Sequence, residues 1–111
     1  MKEFYTAKAH SKPKKLPLYL PDGSPTDEYL MILGAESKPV RDAKARMYRE
    51  KLQNDISLED AKNLIISAMI ESWSFDKECT EDNKINFLKE APQIADKVDI
   101  FSANHANFTK K

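Results

Sequence analysis

Leu18-Tyr19-Leu20, the turn Pro21-Asp22-Gly23-Ser24 and the run Glu28-Tyr29-Leu30-Met31-Ile32-Leu33, which leads straight into Gly34-Ala35-Glu36-Ser37, decide the fold of this chain. Leu16, Leu18 and Leu20 alternate with Pro17 and Tyr19, as a half-buried strand does, and Tyr29 to Leu33 is a continuous apolar strand. Asp-Gly between two such runs marks a hairpin turn. Pro17 and Pro21 cannot donate to a ladder, so the first strand is expected at a sheet edge. The hairpin therefore spans residues 16–34, and the chain beyond it reads as helix, a mainly α (α+β) class with three to four short helices after an N-terminal β-hairpin.

The helical body is expected over residues 37–104. Ser37 and Pro39 open the first helix, because a hydroxyl can cap free amides and a first-turn proline loses no hydrogen bond. Its buried side is expected from Val40, Ala43, Met47 and Leu52, and it ends near Gln53 before Asn54-Asp55. Ser57 with Glu59 and Asp60 starts a second helix, read as running to Trp73. Ala61, Leu64, Ile65, Ala68, Met69 and Ser72 line one side of it, and Ile66, Ile70 and Trp73 form a second apolar row. A helix apolar on two sides must be covered on two sides, by its own domain or by another chain. Thr80 caps a third helix from Glu81 to Glu90. Pro92 opens a fourth on Ile94, Ala95, Val98 and Phe101, since an interior proline would cost about 3 kcal/mol. Phe108 anchors the end.

Around this body, residues 1–15 read as a flexible basic leader, with brief edge-strand character over residues 1–9, and residues 109–111 as a frayed tail. The chain of 111 residues fits one domain, 16–108, and 41% hydrophobic with 32% charged residues belongs to globular proteins. No apolar run approaches a membrane span and no signal segment opens the chain, so a cytoplasmic protein without membrane contact is expected.

Chemistry is sparse. Cys79 is the single cysteine, and His10 and His105 have no patterned partner, so neither a metal nor a cofactor is expected. Glu59-Asp60 and Glu81-Asp82 read as helix-start acids, and two glycines exclude a phosphate-cradling loop. The expectation is a non-enzyme that works by contact. Its candidate contacts, for a partner or for self-association into a homo-oligomer, are Tyr29, Met31, Ile66, Ile70 and Trp73. The net charge of zero hides blocks, with six bases and two acids in residues 37–54 and eight acids and two bases in residues 55–83. An alternative function, nucleic-acid binding or regulation, would use the leader and Arg41, Lys44, Arg46 and Arg49 as phosphate contacts. Neutral overall charge and the absence of a helix-turn-helix pattern weigh against it.

The order of these motifs resembles the tail assembly chaperones of long-tailed, lambda-like bacteriophages. The resemblance lies in Leu20-Pro21-Asp22-Gly23, the aliphatic strand after it, Gly34-Ala35-Glu36-Ser37 before a basic helix, and Ile70-Glu71-Ser72-Trp73. Phe87-Leu88-Lys89-Glu90-Ala91-Pro92-Gln93-Ile94 and Phe108 complete it. Such proteins often carry Gly after the Trp, where this chain has Ser74 and Phe75. The resemblance implies a self-associating protein of the bacterial host's cytoplasm, absent from the mature virion. It also implies that this protein keeps the tape-measure protein soluble while tail-tube subunits gather.

Overall fold

The structure, a computed structural model, describes residues 1–109. Strand β1 (Lys14–Tyr19) pairs antiparallel with β2 (Pro25–Ile32), as the alternating leucines dictate. The turn closes through Leu20 N to Ser24 O and Gly23 N to Leu20 O, at 2.9 and 2.8 Å. Gly23 sits at φ +90°, a conformation that a Cβ disfavours, which is why glycine succeeds Asp22. A register shift between Pro17 and Tyr19 absorbs the prolines at the edge.

The hairpin is neither the first element nor the whole sheet. A 3-10 turn (Lys2–Phe4) and helix α1 (Ala7–His10) precede it, in place of the expected flexible leader and edge-strand pairing. A third strand, β3 (Ile70–Trp73), pairs with β2 and makes the order β1-β2-β3. The expected helix to Trp73 is thus two elements. Helix α3 (Leu58–Met69) ends where Ile70 turns extended, and Leu33 N bonds Met69 O at 2.7 Å. Ile70 and Trp73 are strand formers, and a ladder against Leu30–Ile32 supplies their backbone with partners that a further helical turn would not bring to the core.

The remaining helices agree with the sequence. Helix α2 (Lys38–Asn54) stops at Asp55, whose backbone is left-handed, and α3 starts on Ser57, whose Oγ accepts from Asp60 N at 3.0 Å. Ser37 differs from expectation: its hydroxyl caps nothing in α2 and instead donates to Gly34 O at 2.7 Å, fixing the loop before the helix. Thr80 caps α4 (Glu81–Glu90), and α5 (Pro92–Ala103) begins at the proline. Helix α6 (Ala106–Thr109) seats buried Phe108; Thr109, expected in a frayed tail, belongs to that helix, and Lys110 and Lys111 lie outside the described residues.

The core forms between the helices and one face of the sheet. Leu18, Leu30, Ile32 and Ile70 face Ile66, Met69, Leu88, Ile94 and Val98. Helix α2 stands apart, resting on α3 with Val40 its only buried residue. Leu52, expected on its buried side, is 87% exposed, because α2 outruns the core beneath it.

Candidate functional site

Trp73 stands opposite Leu30 in the ladder, and paired residues share a face, so its ring lies on the helix side of the sheet. There it meets Phe75 just beyond the strand and Phe87 of α4, with ring centroids 5.3 and 5.9 Å away and near-perpendicular planes. Phe75 and Phe87 are 5.1 Å apart. Edge-to-face geometry of this kind contributes about 0.5–1.5 kcal/mol per pair beyond burial. The indole N–H donates to Lys77 O at 2.6 Å, which holds the ring in place. Ser74 locks the strand end: its amide and hydroxyl reach Tyr29 O, and its Oγ accepts from Tyr29 N at 2.8 Å.

The three rings are only partly covered, and they wall a groove of about 340 Å³ whose rim is Lys77, Asn83, Asn86 and Glu90. Phe75 and Phe87 also wall an adjoining cavity of about 200 Å³ floored by Leu18, Ala91 and Ile94. Together they form an apolar trough with a polar rim.

The candidate contact residues do not come together. Ile66 and Ile70 are each 1% exposed, sealed within the single chain, so the second apolar row of α3 is core and not a docking strip. The sheet supplies their cover, which the sequence leaves open. Trp73 alone of that row reaches a groove. Tyr29 and Met31 are half-buried on the opposite face of the sheet, paired in register with Pro17 and Lys15, and Lys15 Nζ lies 4.5 Å from the Tyr29 ring centroid. Phe75 reads in the sequence as part of a link, although Trp73-x-Phe75 has the spacing of an extended chain.

The alternative phosphate contacts are also divided. Arg46 is bonded to Glu81 at 2.8 Å, while Arg41, Lys44 and Arg49 stay on the exposed surface of α2. Cys79 is half-buried against the core, and burial pushes its thiol pKa up, which disfavours the reactive thiolate.

One cluster is invisible to spacing. His10, fully buried in the segment expected as a loose leader, meets His105 across 95 residues, Nε2 to Nδ1 at 3.0 Å. Glu36 joins them: its amide donates to His10 Nδ1 at 3.1 Å, its carboxylate lies 3.8 Å from His105 Nε2, and Thr6 Oγ1 donates to it. The donor set of two imidazoles and a carboxylate is compact enough for a metal ion. The amide bond to His10 Nδ1 puts the neutral ring's proton on Nε2, aimed at His105, so an ion there would have to displace a made hydrogen bond. The three groups therefore satisfy one another as a latch holding α1 against α6.

Burial lowers the His10 pKa from 6.5; Glu36 opposes and His105 reinforces the shift. The unfolded ring takes up its proton at higher pH than the folded one, so the stability this adds is present above 6.5 and is lost as pH falls through the folded value. Thermal melts at about pH 7.5 and about pH 5.5 should show the wild type losing more stability than His10→Gln across this interval. Equal losses would remove the latch from the account.

No described helix is long and apolar enough to cross a membrane. Comparison of the chain with protein families, with characterised proteins and with solved structures finds no match.

Proposed function

We propose that this protein is a non-enzymatic assembly chaperone of the phage-tail type, holding an apolar helical segment of a tape-measure protein while tail-tube subunits are recruited. The observation that carries this reading is the Trp73–Phe75–Phe87 trough, an aromatic surface left open between β3 and α4 and bounded by polar side chains. Aromatic anchors in a groove with a wet rim suit an apolar helix laid into it, and the polar border keeps the complex soluble and exchangeable. The motif order from Leu20 to Phe108 supports the same assignment. On this reading the protein acts in the host cytoplasm, is absent from the finished virion, and self-associates through the trough or the Tyr29–Met31 face.

The test is co-expression with a tape-measure protein, the long helical partner that this reading calls for. Wild type should raise the soluble fraction of that partner severalfold. Trp73→Ala should lose most of the gain, and so should Asn86→Arg, which fills the trough from an exposed rim position. A partner equally soluble with and without this chain sinks the reading, as does full activity in both variants. Light scattering at rising concentration checks self-association. The nucleic-acid alternative draws on the exposure of Arg41, Lys44 and Arg49, and retention on heparin that falls steeply with salt is its signature.

A further inference from the structure

Helix α2 has an apolar seam on its solvent side. Ala45, Tyr48 and Leu52 are spaced three and four residues apart, so they fall at successive a, d and a positions of a heptad. All three are exposed, Tyr48 at 67%, and beyond the turn at Asp55 the side chain of Leu58 is 77% exposed as well. In the same register Lys44 and Lys51 take the flanking g positions and Arg49 an e position, while Asp42, the acid at the preceding e position, is paired with Lys38. None of these three is in an ion pair among the described residues; the two neighbours that are, Lys38 with Asp42 and Arg46 with Glu81, leave the flanks basic.

The flanks decide what can cover the seam. A second copy in parallel would set Lys44 against Arg49 of its mate, and in antiparallel would set lysine on lysine and arginine on arginine; like charges at these positions oppose pairing. No described helix of this chain offers a two-turn exposed apolar seam between acidic flanks, so a second copy does not supply the complement elsewhere. We infer that the solvent face of α2 is a docking site for an acidic amphipathic helix of another protein, with leucine-like residues on the seam and Glu or Asp beside them. Tyr48 and Leu52 provide the contact, and Lys44, Arg49 and Lys51 select the partner by charge. This site lies on a different surface from the aromatic trough and does not rest on the chaperone reading.

Two synthetic peptides of about three heptads test it, alike in a Leu/Ile core, one with Glu and one with Lys at the e and g positions, measured by fluorescence anisotropy against the full chain. The Glu peptide should bind and the Lys peptide should not, with affinity falling roughly tenfold or more as NaCl rises from about 50 to about 500 mM. Leu52→Glu should weaken the Glu peptide at least about tenfold. The triple change Lys44→Glu, Arg49→Glu, Lys51→Glu should reverse the preference to the Lys peptide; all three positions are solvent-facing, and circular dichroism checks that the helix persists. Failure of both peptides, equal binding of both, or Glu-peptide binding indifferent to Leu52→Glu overturns the inference. So does a dimer in sedimentation that Leu52→Glu abolishes, which would give the seam to a second copy, or duplex DNA binding that the charge reversal removes and Leu52→Glu leaves intact.

Discussion

Gly34→Ala should lower the melting temperature by roughly 4–12 °C and free the amino-terminal segment from the body. A Cβ at Gly34 would stand 2.1 Å from His10 Nδ1, 2.2 Å from its Cγ and 2.5 Å from its Cβ. Those atoms are at the root of the ring, fixed by Gly34 N to His10 O at 2.8 Å and by the Glu36 amide on Nδ1, so rotation cannot relieve the overlap. Overpacking of a rigid site costs about 1–3 kcal/mol and occasionally more, and near this chain length each kcal/mol is worth about 4 °C. Hydrogen exchange should show the loss concentrated in residues 6–12 and in α6, where His105 and Phe108 lose His10 as a neighbour. In a His10→Gly background the same alanine should cost much less. An alanine tolerated without change in melting or exchange would mean that His10 does not pack where the structure places it.

Ile70→Ala should destabilise by about 3 kcal/mol, in the range for truncating a fully buried isoleucine. The side chain is 1% exposed, paired with Ile32 in the ladder and packed in the core at the point where α3 becomes β3. Urea unfolding should show the shift with little change in slope. Were Ile70 instead a surface contact for a partner, the cost would fall within about 0.5 kcal/mol, and that outcome would return the α3 row to the binding surface. Its neighbour Lys84 bonds Ile70 O at 2.9 Å and so occupies an edge carbonyl of β3 that another strand could use.

Ile66 and Ile70 also show why the binding surface is less legible in the sequence than the fold. Periodicity establishes that both are apolar and must be covered, and the composition of Ile70 to Trp73 suits a helix end and a short strand almost equally. What separates them is the open edge of β2, which offers hydrogen bonds to a chain 40 residues away. Trp73 stands out in the sequence as a side chain of consequence, yet its partners Phe75 and Phe87 come from an apparent link and from a separate helix. Leu52 shows the reverse error. Its spacing from Val40 and Met47 fits a buried stripe, but α2 extends past the body that would bury it.

The sequence by itself determined the local grammar of this protein. Asp22-Gly23 makes the turn, Ser57 and Thr80 start their helices, and Asp55 and Pro92 punctuate, because each rests on dihedral preferences and hydrogen bonds within a few residues. Only the tertiary structure decided which apolar faces stay wet and which polar groups meet. Closing His10 on His105, seating it on Gly34 and ending α3 at Met69 all depend on contacts between distant segments, whose free energy exists only once the chain has paid the entropy of bringing them together.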